Sequence, residues 1–228
     1  MSQCVISNLF YSHPELRHMN ITVIISGGVG MRFASNLPKQ YHLLCGKEII
    51  AYVYEAVMNT KLTDKIVIVS AQPLEYDAIY VKSGETHNES VKNALDYIYK
   101  QYPLCEKVVF VDSVRPFISA GIIDEYFEIL GDNDAVITAQ HITDSLGKNG
   151  EQFVDRSEYF LIQKPEGFRF SYIYEYFKVD SEKTAIVQQL PKEASVFNCF
   201  KVENNLKITY PADLLIAEKL MEIRGVDH

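Results

Sequence analysis

Short apolar runs alternate along the chain with segments whose apolar residues recur every three or four positions. The runs are rich in β-branched residues and are bounded by turn residues, which is typical of strands buried on both faces of a parallel sheet. They span residues 21–25, 65–70, 107–112, 134–139 and 195–202. The other segments have the spacing of amphipathic helices and span residues 48–58, 90–99, 122–130, 170–177 and 211–223. This alternation predicts a three-layer α/β/α fold with a mainly parallel sheet and right-handed crossovers.

The same pattern predicts one domain over residues 21–228. A chain of 228 residues is long enough for a single α/β domain with a sizeable core. Residues 1–20 precede the first run without a comparable pattern, so we expect an N-terminal extension that is loosely held or disordered. The polar stretch 143–155 contains Gly147 and Gly150 and predicts a hairpin arm that leaves the domain at about residues 141–158.

Charge and cysteine usage argue against several classes of protein. The chain has 30 acidic and 22 basic residues and a net charge of −8, which is a poor match to a nucleic acid. The four cysteines are far apart and lack the spacing of a zinc site, so we expect reduced thiols and a cytoplasmic protein. The apolar runs are too short to span a membrane and the first residues do not have the pattern of a signal peptide. We therefore expect neither a membrane segment nor a secreted protein.

The residues that follow the first run are candidates for binding phosphate. Ligands of an open parallel sheet bind beyond the carboxyl ends of its strands. A turn with Gly27, Gly28 and Gly30 stands there, followed by Arg32 and Lys39. Glycine lets main-chain N–H groups approach phosphate oxygens, and the two cations add charge, but the spacing matches neither the dinucleotide-binding motif nor the P-loop. The segment is either a phosphate cradle or a tight turn beside two exposed basic residues.

Two other polar positions lie near predicted element ends. Asp112 and Arg115 directly follow a buried strand, where they would orient a hydroxyl or a metal-bound water and clamp a phosphate, or form a local ion pair in a turn. Lys207 stands among apolar neighbours shortly before the last helix. A lysine there binds an anionic ligand or is an ordinary solvated surface charge.

These motifs occur together in one order along the chain. They are Gly27-Gly28-x-Gly30-x-Arg32, Pro38-Lys39-Gln40-Tyr41, Asp112-Ser113-x-Arg115-Pro116, Asp155-Arg156 and Asn205-x-Lys207-x-Thr209-x-Pro211-x-Asp213-Leu214. In this order they resemble the CTP-dependent cytidylyltransferases of sugar-alcohol phosphates, which include the methylerythritol 4-phosphate and ribitol 5-phosphate enzymes. The resemblance covers residues 21–223. It implies a Rossmann-like nucleotidyltransferase fold, a homodimer formed through the arm, Mg²⁺ as the cofactor, and CTP and a sugar-alcohol phosphate as substrates.

The resemblance also implies roles for individual residues. Those expected to hold the CTP phosphates are Gly28, Gly30, Arg32 and Lys39, and those expected around the cytosine and ribose are Gly84, Glu85 and Ser90. The residues expected at the acceptor and the reacting α-phosphate are Asp112, Arg115, Arg156 and Lys207. Arg32, Lys39 and Lys207 would be the catalytic cations, and Asp112 is a possible metal ligand. The attacking phosphate is already ionised, so catalysis would rest on alignment and charge neutralisation.

Three departures from the family pattern stand out, one in the cytosine loop and two where the acceptor and the partner subunit would meet. His87 stands where the family has arginine, which predicts either a side chain that titrates between about pH 6 and 7 or a merely structural histidine. The family's Gln-Thr-Pro-Gln is replaced at residues 163–166 by QKPE, and the acidic stretch that follows it is replaced at residues 184–187 by TAIV. The acceptor is therefore the part of the function that the sequence specifies least.

Several alternatives differ in acceptor or in activity. Residues 27–28, 112–117 and 205–209 look closer to the ribitol 5-phosphate branch, so ribitol 5-phosphate is the preferred acceptor and methylerythritol 4-phosphate the alternative. A nicotinamide-dependent dehydrogenase is disfavoured because its glycine motif is missing. A CTP-binding dimer without catalysis is a further alternative, but it gives no reason to retain the full set of cations.

Overall fold

The computed structural model describes residues 18–27, 33 and 37–225. The strands are β1 (Met19–Ile25), β2 (Leu43–Leu44), β3 (Lys47–Glu48), β4 (Lys65–Ser70), β5 (Ile79–Lys82), β6 (Cys105–Asp112), β7 (Ala135–His141), β8 (Phe160–Arg169) and β9 (Val196–Cys199). The helices are α1 (Ile49–Met58), α2 (His87–Gln101), α3 (Ala120–Ile129), α4 (Phe170–Tyr176) and α5 (Pro211–Ile223). Short 3₁₀ turns cover Lys39–Tyr41, Arg156–Glu158 and Val187–Gln189. None of the described helices is long and apolar enough to cross a membrane.

The central sheet has seven strands in the order β5-β4-β1-β6-β8-β7-β9. Neighbouring strands are parallel except at β8, which is antiparallel to both β6 and β7. Helices α2 and α4 pack on one face of the sheet, and α1 and α3 pack on the other. The predicted three-layer α/β/α fold with a mainly parallel sheet is confirmed. Helix α5 packs with the β2–β3 hairpin in a smaller apolar cluster.

The central position of β1 follows from its side chains. Ile21, Val23 and Ile25 face the core beneath α2 and α4, whereas Ile24 faces the core beneath α1 and α3. Full burial of each such side chain contributes about 1.5–3 kcal/mol, so a strand that is apolar on both faces is most stable between two helical layers. This places the carboxyl end of β1 at the middle of the sheet edge, beside the ends of β4 and β6.

Three parts of the sheet differ from the prediction. Strand β1 begins at Met19, two residues before the predicted start, while residues 1–17 of the predicted extension lie outside the described part of the chain. Strand β5 was not predicted because it has four residues and a largely half-buried sequence. Strand β8 was not predicted because charged residues, Pro165 and Gly167 interrupt its apolar pattern. Its pairing with β7 shifts register between Ile137 and Thr138.

An exposed segment joins β7 to β8. Most of its residues from 142 to 159 are exposed to solvent, and it contains an antiparallel bridge between Lys148 and Glu151. Gly150 within it has φ of +85°, a conformation that side chains other than glycine rarely adopt. We call residues 142–159 the arm. Its role in dimerisation stays a prediction.

Candidate active site

Two adjoining cavities open at the edge of the sheet where β1 and β6 end. The first cavity, of about 160 Å³, is lined by Ile25, Gly27, Lys39, Gln40, Gly84, Glu85, Thr86, His87, Ser90, Asp112, Ser113, Val114 and Lys207. The second, of about 330 Å³, is lined by His87, Asp112, Arg115, Phe160, Leu161, Ile162, Gln163, Lys164, Glu166, Thr184, Ala185, Gln188 and Lys207. The side chains that line both are His87, Asp112 and Lys207. The two cavities therefore meet at these three residues.

Asp112 is the centre of a charge cluster at the junction. Its Oδ2 lies 3.1 Å from Nε of Arg115 and 3.0 Å from Nζ of Lys207. Arg115 is buried and also donates from Nη1 to the carbonyl oxygen of Asn205 at 2.6 Å. Burial alone would raise the pKa of Asp112, but nearby positive charge, that of Lys207 first, outweighs burial and holds the pKa far below its usual range. Asp112 is therefore a carboxylate at neutral pH and fixes two cations.

The loop between β5 and α2 forms one wall of the first cavity. The N–H of Gly84 donates to Oγ of Ser90 at 3.1 Å, and the N–H of Glu85 donates to Oε2 of Glu89 at 2.6 Å. Thr86 caps α2 by accepting the N–H of Glu89 at 3.1 Å. A Cβ on Gly84 would lie 2.2 Å from Cβ of Glu89, so this close approach requires glycine. Ser90, which is buried, shapes the loop from within.

The turn after β1 approaches the same loop. A Cβ on Gly27 would lie 2.4 Å from Cβ of Ser83, so glycine allows the two segments to come together. Gln40 is buried and donates from Nε2 to the carbonyl oxygen of Ser26 at 2.8 Å, which fixes the 3₁₀ turn that carries Lys39 at the first cavity. The predicted phosphate-binding residues Gly28, Gly30 and Arg32 lie outside the described residues.

The structure thus brings most of the predicted site residues to these cavities. Lys39, Gly84, Glu85 and Ser90 line the first cavity, Arg115 lines the second, and Asp112 and Lys207 line both. Asp112 and Lys207 are 95 positions apart, and the sheet edge brings them into contact. Their roles toward a ligand stay predictions.

Arg156 is not brought to the site of its own chain. It lies on the exposed arm, where its guanidinium donates to the carbonyl oxygen of Thr143, and it lines neither cavity. A role at the acceptor therefore requires that Arg156 reach the site of a second copy.

Lys164 is a site residue that the sequence pattern did not predict. Lys164 is buried, lines the second cavity and forms an ion pair with Glu166 at 2.7 Å. Both residues belong to β8, which the apolar pattern did not predict. The available signal was the change from the family's Gln-Thr-Pro-Gln to a sequence with two opposite charges.

His87 differs from the titrating residue that its sequence position suggested. The residue keeps solvent contact at the rim of the site, but its ring lies among protein atoms and cations. Burial of the ring and the positive charges of Lys164 and Lys207 lower its pKa to about 4. The imidazole is therefore neutral between pH 6 and 7, which argues against the titrating alternative and leaves the structural one.

The low pKa of His87 makes a testable difference to stability at acidic pH. Below its ordinary pKa of 6.5 the unfolded chain binds a proton that the folded chain does not bind until the pH approaches about 4. Folding therefore becomes less favourable as the pH falls through this interval. We expect the Tm of the wild type to fall relative to that of His87→Asn between these pH values, and the difference to be constant at higher pH. Thermal unfolding of both proteins across this range measures it, and a Tm difference that stays constant throughout would contradict it.

A magnesium ion would find one partial site in this arrangement. The described residues contain no group of three or more histidine, cysteine, aspartate or glutamate side chains placed to hold a metal. Asp112 uses Oδ2 for both cations, which leaves Oδ1 to share a metal ion. Mg²⁺ is commonly held by one or two carboxylates together with substrate phosphates, and the donors present fit that mode.

Comparison with known proteins identifies the family of this chain. Residues 20–223 match the family model of IspD, 2-C-methyl-D-erythritol 4-phosphate cytidylyltransferase. The chain belongs to this family. It is therefore a nucleotidyltransferase of the cytidylyltransferase type, as its site motifs predicted.

Individual relatives agree with the family assignment. The 2-C-methyl-D-erythritol 4-phosphate cytidylyltransferase of Azobacteroides pseudotrichonymphae is 29% identical over 225 residues, covering 88% of this chain and 97% of that protein. The bifunctional ribulose 5-phosphate reductase/CDP-ribitol pyrophosphorylase Bcs1 of Haemophilus influenzae is 25% identical over 92% of this chain and 49% of that protein. The structure of 4-diphosphocytidyl-2C-methyl-D-erythritol synthase from Anaerococcus prevotii has the same fold, with a TM-score of 0.74, 22% identity, and coverage of 90% of this chain and 99% of that one.

The relatives change the order of the two candidate acceptors. The family model and several of the similar proteins are named for methylerythritol 4-phosphate, whereas Bcs1 is named for CDP-ribitol. The preference for ribitol 5-phosphate is thus not confirmed, and the methylerythritol alternative fits the comparisons better. The motifs behind that preference include Asp112, Arg115 and Lys207, which line the second cavity, but most of its remaining wall comes from β8 and residues 184–188.

Proposed function

We propose that this protein transfers CMP from CTP to the phosphate of a sugar alcohol, with 2-C-methyl-D-erythritol 4-phosphate as the acceptor, and releases pyrophosphate. The observation that carries the proposal is the junction of two cavities at Asp112 and Lys207. One cavity has the glycine-lined loop and Lys39 expected for a nucleotide, and the other opens toward β8. Two anionic substrates would meet where a fixed cation lies.

The reaction needs alignment and positive charge more than it needs a base. A phosphate oxygen of the acceptor attacks the α-phosphorus of CTP, a new P–O bond forms, and the bond from the α-phosphorus to the β-phosphate oxygen breaks. The electron pair of that bond leaves with pyrophosphate. Lys207 at the junction and Lys39 on the nucleotide side would offset the negative charge that gathers at the α-phosphate. Neutral His87 and ionised Asp112 supply no proton, in keeping with an attacking group that is already ionised.

Mg²⁺ stays a proposal as the cofactor. Oδ1 of Asp112 would hold the ion together with phosphate oxygens of the substrates. When bound, the ion would neutralise phosphate charge and favour the departure of pyrophosphate.

Ribitol 5-phosphate is the second candidate acceptor. The observation that favours it is the similarity to Bcs1, which is described as a CDP-ribitol pyrophosphorylase and aligns with 92% of this chain. The second cavity is lined by nine side chains that can form hydrogen bonds and by four apolar ones, which suits the hydroxyls and carbons of either polyol chain.

Pyrophosphate release tests the proposal. The protein is incubated with CTP and Mg²⁺, and methylerythritol 4-phosphate, ribitol 5-phosphate and glycerol 3-phosphate are offered separately. We expect the highest kcat/KM with methylerythritol 4-phosphate. Faster turnover of ribitol 5-phosphate would replace the acceptor but keep the reaction, and silence with every acceptor despite CTP binding would refute the reaction.

The exposed arm suggests how Arg156 takes part. We propose that two copies form a homodimer through their arms, so that Arg156 of each copy reaches the second cavity of the other. Its position outside both cavities of its own chain supports this arrangement. Arg156→Ala and Lys207→Ala would then each inactivate the homodimer.

Mixing those two inactive variants distinguishes the arrangements. A mixed dimer would contain one site with both Lys207 and Arg156 intact, so random exchange of subunits should restore about a quarter of wild-type activity. The activity of the exchanged mixture is the measurement, and each variant exchanged with itself is the control. If Arg156 acts within its own chain, no mixed dimer has an intact site and activity does not return.

A further inference from the structure

An ion pair lies in the wall of the second cavity without a role in the reaction described above. Nζ of Lys164 lies 2.7 Å from Oε1 of Glu166, and the two side chains are 8% and 2% exposed. A buried pair is stable only when other hydrogen bonds satisfy its remaining atoms. Glu166 meets this condition, because it also accepts the N–H of Val187 at 2.8 Å and the N–H of Ile186 at 3.4 Å.

Lys164 does not meet it. An ammonium has three N–H donors. Within the described residues, the ammonium of Lys164 has a hydrogen bond to Glu166 and no second one. Its other close neighbour is the ring of Phe110, whose centroid lies 5.8 Å from Nζ. Both residues line the cavity, but both carboxylate oxygens of Glu166 already accept hydrogen bonds, Oε1 from Lys164 and Ile186 and Oε2 from Val187. The unused donors of Lys164 are therefore the part of the pair that a ligand in the cavity can contact.

The other two cations of the second cavity are already engaged. Arg115 is held by Asp112 and by the carbonyl oxygen of Asn205, and Lys207 is shared with the first cavity. The lining has three cations, namely Arg115, Lys164 and Lys207, against the two carboxylates of Asp112 and Glu166, which leaves one positive charge. An anion bound in this cavity would find its available donors at Lys164.

We propose that Lys164 is an acceptor-binding residue: its ammonium, held by Glu166, donates a hydrogen bond to one of the non-attacking oxygens of the acceptor phosphate. This inference rests on the proposed function. Glu166 is a positioning residue, because it aims Lys164 and, through the N–H groups of Ile186 and Val187, holds the segment that carries Thr184 and Ala185 at the far wall. Residues 163–166 and 184–187, which both depart from the family pattern, thus act as one unit.

A charge-neutral double variant tests the proposal. Lys164→Thr alone would leave a buried carboxylate without its partner and could unfold the chain, so it is combined with Glu166→Gln, whose side-chain oxygen still accepts the N–H of Val187. Binding of methylerythritol 4-phosphate and of ribitol 5-phosphate is measured by calorimetry in the presence of the α,β-methylene analogue of CTP. We expect Kd for the acceptor that the wild type binds to rise by about 10- to 100-fold, the effect of losing one hydrogen bond to a charged group. Kd for the CTP analogue should not change.

A matched control separates this effect from a general loss of stability. Lys219 and Glu222 form an exposed pair on α5, and Lys219→Thr combined with Glu222→Gln should bind both ligands as the wild type does. An unchanged acceptor Kd in the folded Lys164/Glu166 variant would overturn the inference, as would an equal loss of affinity for the CTP analogue. A wild type that binds neither polyol phosphate overturns it as well.

The binding readout also separates this inference from the proposed reaction. A wild type that binds a polyol phosphate but releases no pyrophosphate refutes the proposed function alone. In that event the acceptor Kd of the double variant still decides the role of Lys164.

Discussion

Replacing Lys207 by alanine should lower kcat by about 10²- to 10³-fold, the effect of removing one preorganised donor from a developing negative charge. Nζ of Lys207 lies 3.0 Å from Oδ2 of Asp112 at the junction of the two cavities, and its side chain is 42% exposed. The positive charge of Lys207 stabilises the transition state at the α-phosphate more than it stabilises bound CTP. The substitution should therefore lower kcat more than it lowers the affinity for CTP. Steady-state kinetics with CTP varied at saturating acceptor measures this. We expect Lys39→Ala to lower kcat by a similar factor.

A nearby lysine serves as the control for Lys207. Lys201 is 71% exposed and pairs with Glu125 on α3, so Lys201→Ala removes the same charge from the same region without touching either cavity. We expect its turnover to equal that of the wild type. Near-normal turnover in both Lys207→Ala and Lys39→Ala would refute the mechanism.

Replacing Asp112 by asparagine should lower the free energy of unfolding by about 3–5 kcal/mol, the range for removing one partner of a buried charge pair. The substitution keeps the shape of the side chain but leaves the buried guanidinium of Arg115 without a counter-charge. Lys207 loses its anchor at the same time, so turnover should fall as well. Urea unfolding at neutral pH measures the stability, with the exposed Asp132→Asn as the control.

The stability effect of Asp112 should also depend on pH with a defined sign. The folded-state pKa of Asp112 lies below that of the unfolded chain, about 3.9 for an aspartate, so its contribution is complete above that value and is lost as the pH falls toward the folded-state pKa. The difference between the wild type and Asp112→Asn should therefore be constant near neutrality and shrink at acidic pH. A difference that grows on acidification would contradict the assignment of Asp112 as a paired carboxylate.

The fold was predictable wherever buried segments consist of continuous or regularly spaced apolar residues. Strands β1, β4 and β6 are buried on both faces and therefore read as continuous β-branched runs. Strand β8 is buried for much of its length too, but its interior holds Lys164 and Glu166, whose charges cancel only in the folded chain. In the sequence alone, two charged residues indicate an exposed segment, so a buried strand was not predicted there.

The site was predictable to the extent that it follows strand ends. Asp112 is the last residue of β6 and Arg115 follows it closely, while Lys207 is distinguished by its apolar neighbours. The charge state of His87 was not predictable, because it depends on burial and on cations from β8 and from the segment before α5, which only the fold brings together. For Arg156 the motif is recognisable in the sequence, but the structure of one chain does not bring the residue to either cavity.

The central claim is that an acceptor phosphate oxygen attacks the α-phosphorus of CTP across the junction of the two cavities. The most direct test is to supply methylerythritol 4-phosphate whose phosphate is labelled with a heavy oxygen isotope and to analyse both products by mass spectrometry. The account predicts a CDP-linked polyol that retains the label, including in the bridge between its two phosphorus atoms, and unlabelled pyrophosphate. Label in the pyrophosphate, or free CMP in place of a CDP-linked product, would contradict it.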